Sequence, residues 1–494
     1  MQDWIQTLPP DKAWEPLSSG DWDLPARRHL LSRLAYGSTP ALLRFCEGKS
    51  PAEVIDLLLA IPDSFPLPEA IRALEGLEVR RRFLQTRDQA TRRQMIREFN
   101  RQNREAYVAY AAQWLTHARE ERFSAREKLV EFLQNVWVVN FTAVRDAEFL
   151  FLHQDLLRRR LHLPYPELCK AASRSPAIIR FLNLNQNRKG QPNENFAREL
   201  FELFTLGEGQ YSESDVKEAA RAFTGYSAPA AVFRFRPRIH DSGRKTLFGQ
   251  SGRFAGDEVI DLVFRQPAAQ RFLPAQFCRA YLAEDPLPAP YLEVLGSLWK
   301  NSGYRVDRLA RIVCSSRIFY HPAFRSNAIK SPNHFLLGSL QTLGLAVNPL
   351  ARHTLLPLRS MGQPFFNPPN VRGWVGGKSW INSSTLKARR EWTASLFDDI
   401  DFEALNADEY VQLMAAAAEE ERPFTIDETI LERLAAFDAD TLVTLLLDRT
   451  YPGEPPPAIV SQCHRILGGP SGSTKERIAQ LLQSLLQGPQ FHLC

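Results

Sequence analysis

The sequence predicts a mainly α-helical, multi-helix protein with a small β-hairpin insertion around 231–249 and a long ordered loop over 357–384. Three observations carry this. Apolar residues recur at helical spacing along most of the chain. Val232–Arg236 alternates apolar and basic residues with period two, and the turn residues Asp241 and Gly243 lead into a returning strand from Lys245 to Phe248. The third is a stretch dense in Gly, Pro and Asn that also holds Trp374 and Trp380, side chains too apolar to be left in water.

The helices follow in order from their start and stop signals. Asp23 with Pro25 opens a helix that runs to Ala35 and stops at Gly37. Pro51–Leu59 is a second. Residues 66–122 are long-period and arginine-rich, with Arg80, Arg81, Arg82, Arg92, Arg93, Arg97, Arg101 and Arg104 among interspersed acids. That mixture reads as the solvated side of long helices rather than a nucleic-acid face. Residues 125–157 continue as helix with an apolar middle. Pro192 opens a helix through about Leu206, closed by Gly207 and Gly209, and Ser212 caps another that ends before Gly225. Helices resume from Asp257 to Leu343 and again over 385–494. The expected organisation is an N-terminal helical lobe at 1–165, a central motif-bearing region at 166–385 and a C-terminal helical region at 386–494.

Composition narrows the function classes. The chain has 494 residues, 61 Lys+Arg against 56 Asp+Glu, and a net charge of +5, too small over this length to indicate a nucleic-acid partner. No apolar run approaches a membrane span, and no signal peptide is evident at the start, so the expectation is a cytoplasmic protein with envelope association left open. Six scattered cysteines without a CxxC pair read as free thiols. No P-loop, GxGxxG after a strand, GxSxG or HExxH occurs.

Three segments carry candidate chemistry. In Asn193–Gly207, helical phase puts Glu199 and Glu202 on one face, one turn apart, beside Asn195 and Arg198. Two such carboxylates can share a divalent metal or divide acid and base roles, and Arg198 can hold a planar anion. Any amphipathic helix has such a polar face, so a solvated reading stands beside the functional one. His240 and Asp241, with Lys245, pair a proton carrier or ligand with an orienting acid and a cation, or they are simply a turn. The loop with Trp374, Trp380 and Asn382 either stacks on a flat ligand or plugs a seam between lobes.

These segments together, NENFARELFELFTLG, YSESDVKEAARAFTGY, HDSGRK, MGQPFFNPPNVRGWVGGKSWINSSTLKAR and the early HLLSRLAYG, resemble the bacterial domain of unknown function 1800 family. The resemblance runs over nearly the whole chain. It covers Asn193, Glu194, Asn195, Arg198, Glu199, Glu202, Asp215, His240, Asp241, Lys245, Gln363, Pro368, Trp374, Trp380 and Asn382. It also implies a partner, a protein of the domain of unknown function 1501 family, which is alkaline-phosphatase- and sulfatase-like. The chain departs from the family pattern at Gln134 and Val136, where relatives carry histidines, and at Asn183, where they carry Asp. If those groups hold a metal in relatives, this chain lacks part of the set.

Two readings follow. One is a hydrolase-like enzyme acting on a phosphate or sulfate ester, with Glu199, Glu202, His240 and Asp241 as catalytic groups. In it Asn193, Asn195, Arg198, Lys245, Trp374, Trp380 and Asn382 hold the ligand, and Glu199, Glu202 and His240 are the metal candidates. The other is a non-catalytic scaffold that docks a partner. Glu199 and Glu202 are expected to be partly buried and to face His240 and Lys245.

Overall fold

The computed structural model describes residues 3–60, 65–74, 85–229, 231–451, 453–470 and 472–494. Arg80, Arg81 and Arg82 lie outside them. The protein is mainly α: 62% is helical, and the described residues hold 26 helices and two small antiparallel sheets of two strands. A large continuous apolar core reaches from Trp4 to Phe491. All six cysteines are free and buried.

The helix signals act as expected. Asp23 accepts from the Ala26 amide and Pro25 sits in the first turn of Leu24–Leu34. Ser212 and Asp215 form a reciprocal capping box on Glu213–Ala222. The Asn193–Leu206 segment differs from its expectation. An α-helical stretch, Asn195–Glu199, gives way to a π-helical one, Leu200–Thr205, in which the Leu206 amide reaches back to the Phe201 carbonyl. A π turn shifts the phase of everything after it, so the regular helical wheel misplaces Glu202 relative to Glu199.

The β segment also pairs differently. Arg234–Phe235 pairs with Tyr226–Ser227, while Lys245–Leu247 pairs with Gln250–Gly252. Two local hairpins replace the single one expected between 232–236 and 245–248. The cause is the turn at Phe248 and Gly249, both with positive φ (49° and 76°), which matches the two-residue turn that right-twisted strands favour. Closing this short loop costs less entropy than spanning residues 237–244.

Helix Leu355–Ser360 takes the first part of the expected loop, and the remainder is pinned from below. The Phe141 amide donates to Phe366 O at 2.9 Å and Asn140 Nδ2 to Pro368 O at 2.7 Å. Tyr107 donates to the Phe365 carbonyl. Phe365 and Phe366 enter the core against Tyr110 and Trp114.

Under this loop lie three packed helices, Gln89–Arg119, Glu121–Val136 and Ala147–Arg159. Glu127 and Arg158, each 1% exposed, form a bidentate pair at 2.7 Å, and Glu127 also accepts from Trp114 Nε1 at 2.8 Å. Burial pushes the Glu127 carboxyl up, but the Arg158 charge and hydrogen bonds hold it below its ordinary value. Glu127→Ala strands the arginine and is expected to cost about 3–5 kcal/mol in urea unfolding at neutral pH. Because the folded value is depressed, the pair's contribution is present at neutral pH and is lost as pH falls through the carboxyl range. A near-wild-type unfolding midpoint for the variant would contradict this.

Candidate functional site

A cavity of about 780 Å³ opens beside the helix Glu121–Val136. That helix lines it with Lys128, Glu131, Phe132, Asn135 and Val136, a stripe at i, i+3, i+4, i+7 and i+8. Helix Pro267–Tyr281 adds Arg271, Phe272, Ala275, Arg279 and Tyr281. The turn from Glu202 to Gln210 forms an edge. Val371, Arg372, Trp374, Val375 and Trp380 form a roof.

Polar groups converge deep in this cavity. Glu131 accepts from Tyr36 Oη at 2.9 Å, Asn333 Nδ2 at 2.8 Å and Gln363 Nε2 at 2.9 Å. Burial still raises its carboxyl above the ordinary value, against the pull of those donors. Lys128 donates to Ala35 O at 2.6 Å and Ser32 O at 3.3 Å, and its Nζ lies 3.3 Å from His334 Nδ1. The surrounding protein lowers the Lys128 ammonium to about 8. His334, 3% exposed, is pushed well below its usual range by burial and then by the Lys128 charge. It is therefore a neutral imidazole at pH 7, with Nδ1 free to accept from the ammonium. Lys128 and Glu131 keep part of their surface open to the cavity.

The roof is tied down at both ends. Asn135 Oδ1 accepts from the Trp374 amide at 2.8 Å while its Nδ2 donates to the Trp374 carbonyl at 3.1 Å. Arg372 reaches Glu202 at 2.6 Å and Glu208 at 2.8 Å. The Lys378 amide donates to Glu284 at 3.0 Å. Gly373 and Gly377 permit this approach: both have positive φ, and a Cβ at either would overlap the Asn135 or Glu284 side chain.

The structure divides the residues singled out in the sequence. Glu202, Trp374 and Trp380 reach the cavity. Glu202 is held by Arg372 and by Tyr211 Oη at 2.8 Å. Glu199 is partly buried, and its carboxyl is raised by burial and next by the Glu202 charge. Arg198 forks onto Glu213 at 2.8 Å and touches Glu194 at 3.2 Å. Asn193 Oδ1 accepts from the Asn195 amide, and Asn195 Nδ2 donates to Leu182 O. Asn382 caps helix Ser383–Ser395.

His240, Asp241 and Lys245 are held elsewhere. His240 Nδ1 meets the Thr224 carbonyl at 2.8 Å, and its ring packs edge-on to Phe235. Asp241 accepts from Arg221 Nε at 2.8 Å, and that guanidinium lowers its carboxyl to about 2. The Lys245 ammonium, 1% exposed, donates to the carbonyls of Asp241 and Gly243 at 2.6 and 3.1 Å. The expected facing of Glu199 and Glu202 toward His240 and Lys245 is thus corrected. The end of helix Glu213–Ala222 holds the turn, while Arg372 draws Glu202 to the roof. Among the described residues, no three His, Cys, Asp or Glu side chains gather as a metal site, so Glu199, Glu202 and His240 do not converge on one ion.

Lys128, Glu131, Asn135 and His334 are the groups that the sequence reading missed. The available signal was three polar residues, Lys128, Glu131 and Asn135, at one helical phase among Leu129, Val130, Phe132, Leu133 and Val136. The raised carboxyl of Glu199 sets a sign for stability. Its charge costs stability above the folded value, and the cost fades as pH falls below the ordinary carboxyl range. Glu199→Gln is expected to melt at or above wild type at pH 7 and to lose that advantage below about pH 4. A lower melting temperature at pH 7 would contradict this.

No curated protein and no solved structure matches the chain. A family model does match, over residues 29–493, covering the cavity, its roof and the 240–245 turn alike. The chain belongs to the family described as Protein of unknown function (DUF1800).

Proposed function

We propose that the cavity is the functional site and that it binds an anionic molecule with an apolar or aromatic part. The observation that carries this is the charge arrangement over an apolar wall. Arg271 and Arg279 lie two turns apart on one helix stripe, and Lys128 stands deep in the cavity. Arg271 touches Glu293 only at 3.4 Å, and Arg279 makes no ion pair among the described residues. Phe132, Phe272, Leu203 and Leu292 supply the apolar surface. A phosphate or sulfate ester of an apolar alcohol has this chemistry. On the hydrolase-like reading, the groups in reach of the ester are Lys128, His334 and Glu131 rather than Glu199, His240 and Asp241.

The accessory reading is favoured by a specific observation. Two Lys128 donors are held by backbone carbonyls at the end of helix Leu24–Leu34, and Glu131 accepts from three protein donors. Groups so satisfied hold a fold, and the protein then binds its ligand or partner without turnover. That partner, on this reading, is an alkaline-phosphatase-like protein of the domain of unknown function 1501 family.

Calorimetry with p-nitrophenyl phosphate and p-nitrophenyl sulfate tests the proposal. Binding is expected, with about tenfold or greater weakening in an Arg271→Ala, Arg279→Ala double variant. Release of p-nitrophenol that Lys128→Met abolishes supports the enzyme; binding without release supports the accessory protein. Binding of neither compound, or equal binding by the double variant, would overturn the site.

A further inference from the structure

Behind the large cavity lies a second one of about 20 Å³, lined by Glu131, Gln134, Asn333 and Trp374 among the apolar residues Trp114, Val139, Phe365, Phe366 and Pro368. Three of those residues carry a buried polar atom with no protein partner: Gln134 Nε2, Asn333 Oδ1 and Trp374 Nε1. Asn333 is 4% exposed. Its amide cannot be turned to remove the mismatch, because Nδ2 already donates to Glu131 at 2.8 Å. Two donors and one acceptor are thus left without partners on side chains around one space, and the other lining residues supply no substitute apart from Glu131.

We propose that this cavity is a binding site for a single ordered water that accepts from Gln134 and Trp374 and donates to Asn333. The volume exceeds the roughly 10–15 Å³ that one water requires, and the three partners fall within the usual two to four. The chemistry excludes other small occupants. A metal cation would face two N–H donors, and an anion would face the Asn333 carbonyl and the Glu131 carboxylate. Water alone both accepts twice and donates. Its second proton lies within the same space as Glu131.

The water joins helix Glu121–Val136, helix Pro332–Leu343 and the roof. Trp374 lines both cavities, so the water fixes the indole that walls the larger one. This assignment stands independently of what the larger cavity binds.

A crystal structure of the native protein at a resolution that shows ordered waters is the first test. Density within hydrogen-bond distance of all three atoms is expected; a dry cavity, or a Gln134 amide swung round to pair with Trp374, overturns the proposal. The second test follows the Trp374 indole N–H by nitrogen-15 NMR, assigned by its loss in Trp374→Phe. Gln134→Leu removes one of the water's partners, and the expected result is a shifted, faster-exchanging Trp374 resonance with the other indoles unchanged. An unmoved Trp374 resonance in a folded Gln134→Leu protein overturns it.

Discussion

The carboxylate of Glu131 is the point at which distant parts of the chain meet. Its donors, Tyr36, Asn333 and Gln363, stand 95, 202 and 232 residues away. A carboxylate set this deep is costly unless its oxygens are occupied, and three donors, one of them a phenol, offset that cost. No local element satisfies it. The interaction exists only when the end of the first long helix, helix Glu121–Val136, helix Pro332–Leu343 and the start of the roof loop are all in place. Gln363 adds a second link, since its Oε1 accepts from the Asn333 amide at 2.9 Å.

The cavity is a consequence of this junction. With Gln363 anchored at Glu131 and Trp374 clamped by Asn135, the chain between them cannot collapse onto helix Glu121–Val136. Phe365 and Phe366 fill the near side against Tyr110 and Trp114, and the far side stays open between the roof and helix Pro267–Tyr281. Lys128, one turn before Glu131, is carried to the same face. Its nearness to His334, and the low proton affinity of both, follow from where the helix lies.

Much of the fold was legible because helix ends are written locally. Asp23 with Pro25 and the Ser212 cap sit where the sequence put them. The loop was legible as ordered because tryptophans do not sit easily in water. The π turn at Leu200–Thr205 was not legible, since no residue in it forbids an α-helix and its wider turn is selected by packing. The hairpin partners were misjudged because Asp241 and Gly243 looked like the turn, whereas they are spent on Arg221 and Lys245. The lining of the candidate site was half legible. Glu202, Trp374 and Trp380 reach the cavity, but Lys128, Glu131 and Asn135 are three among many polar residues on their helix. Their meaning depends on partners hundreds of positions away that one sequence does not reveal.

Hydrogen exchange of a Glu131→Gln variant tests the junction most directly. The substitution keeps the shape and turns one acceptor oxygen into a donor that faces other donors, a mismatch worth about 1–3 kcal/mol. The account predicts that protection falls together in residues 24–36, 332–343 and 363–377, with a lowered melting temperature. Loss of protection confined to residues 121–136, or an unchanged exchange pattern, would contradict it.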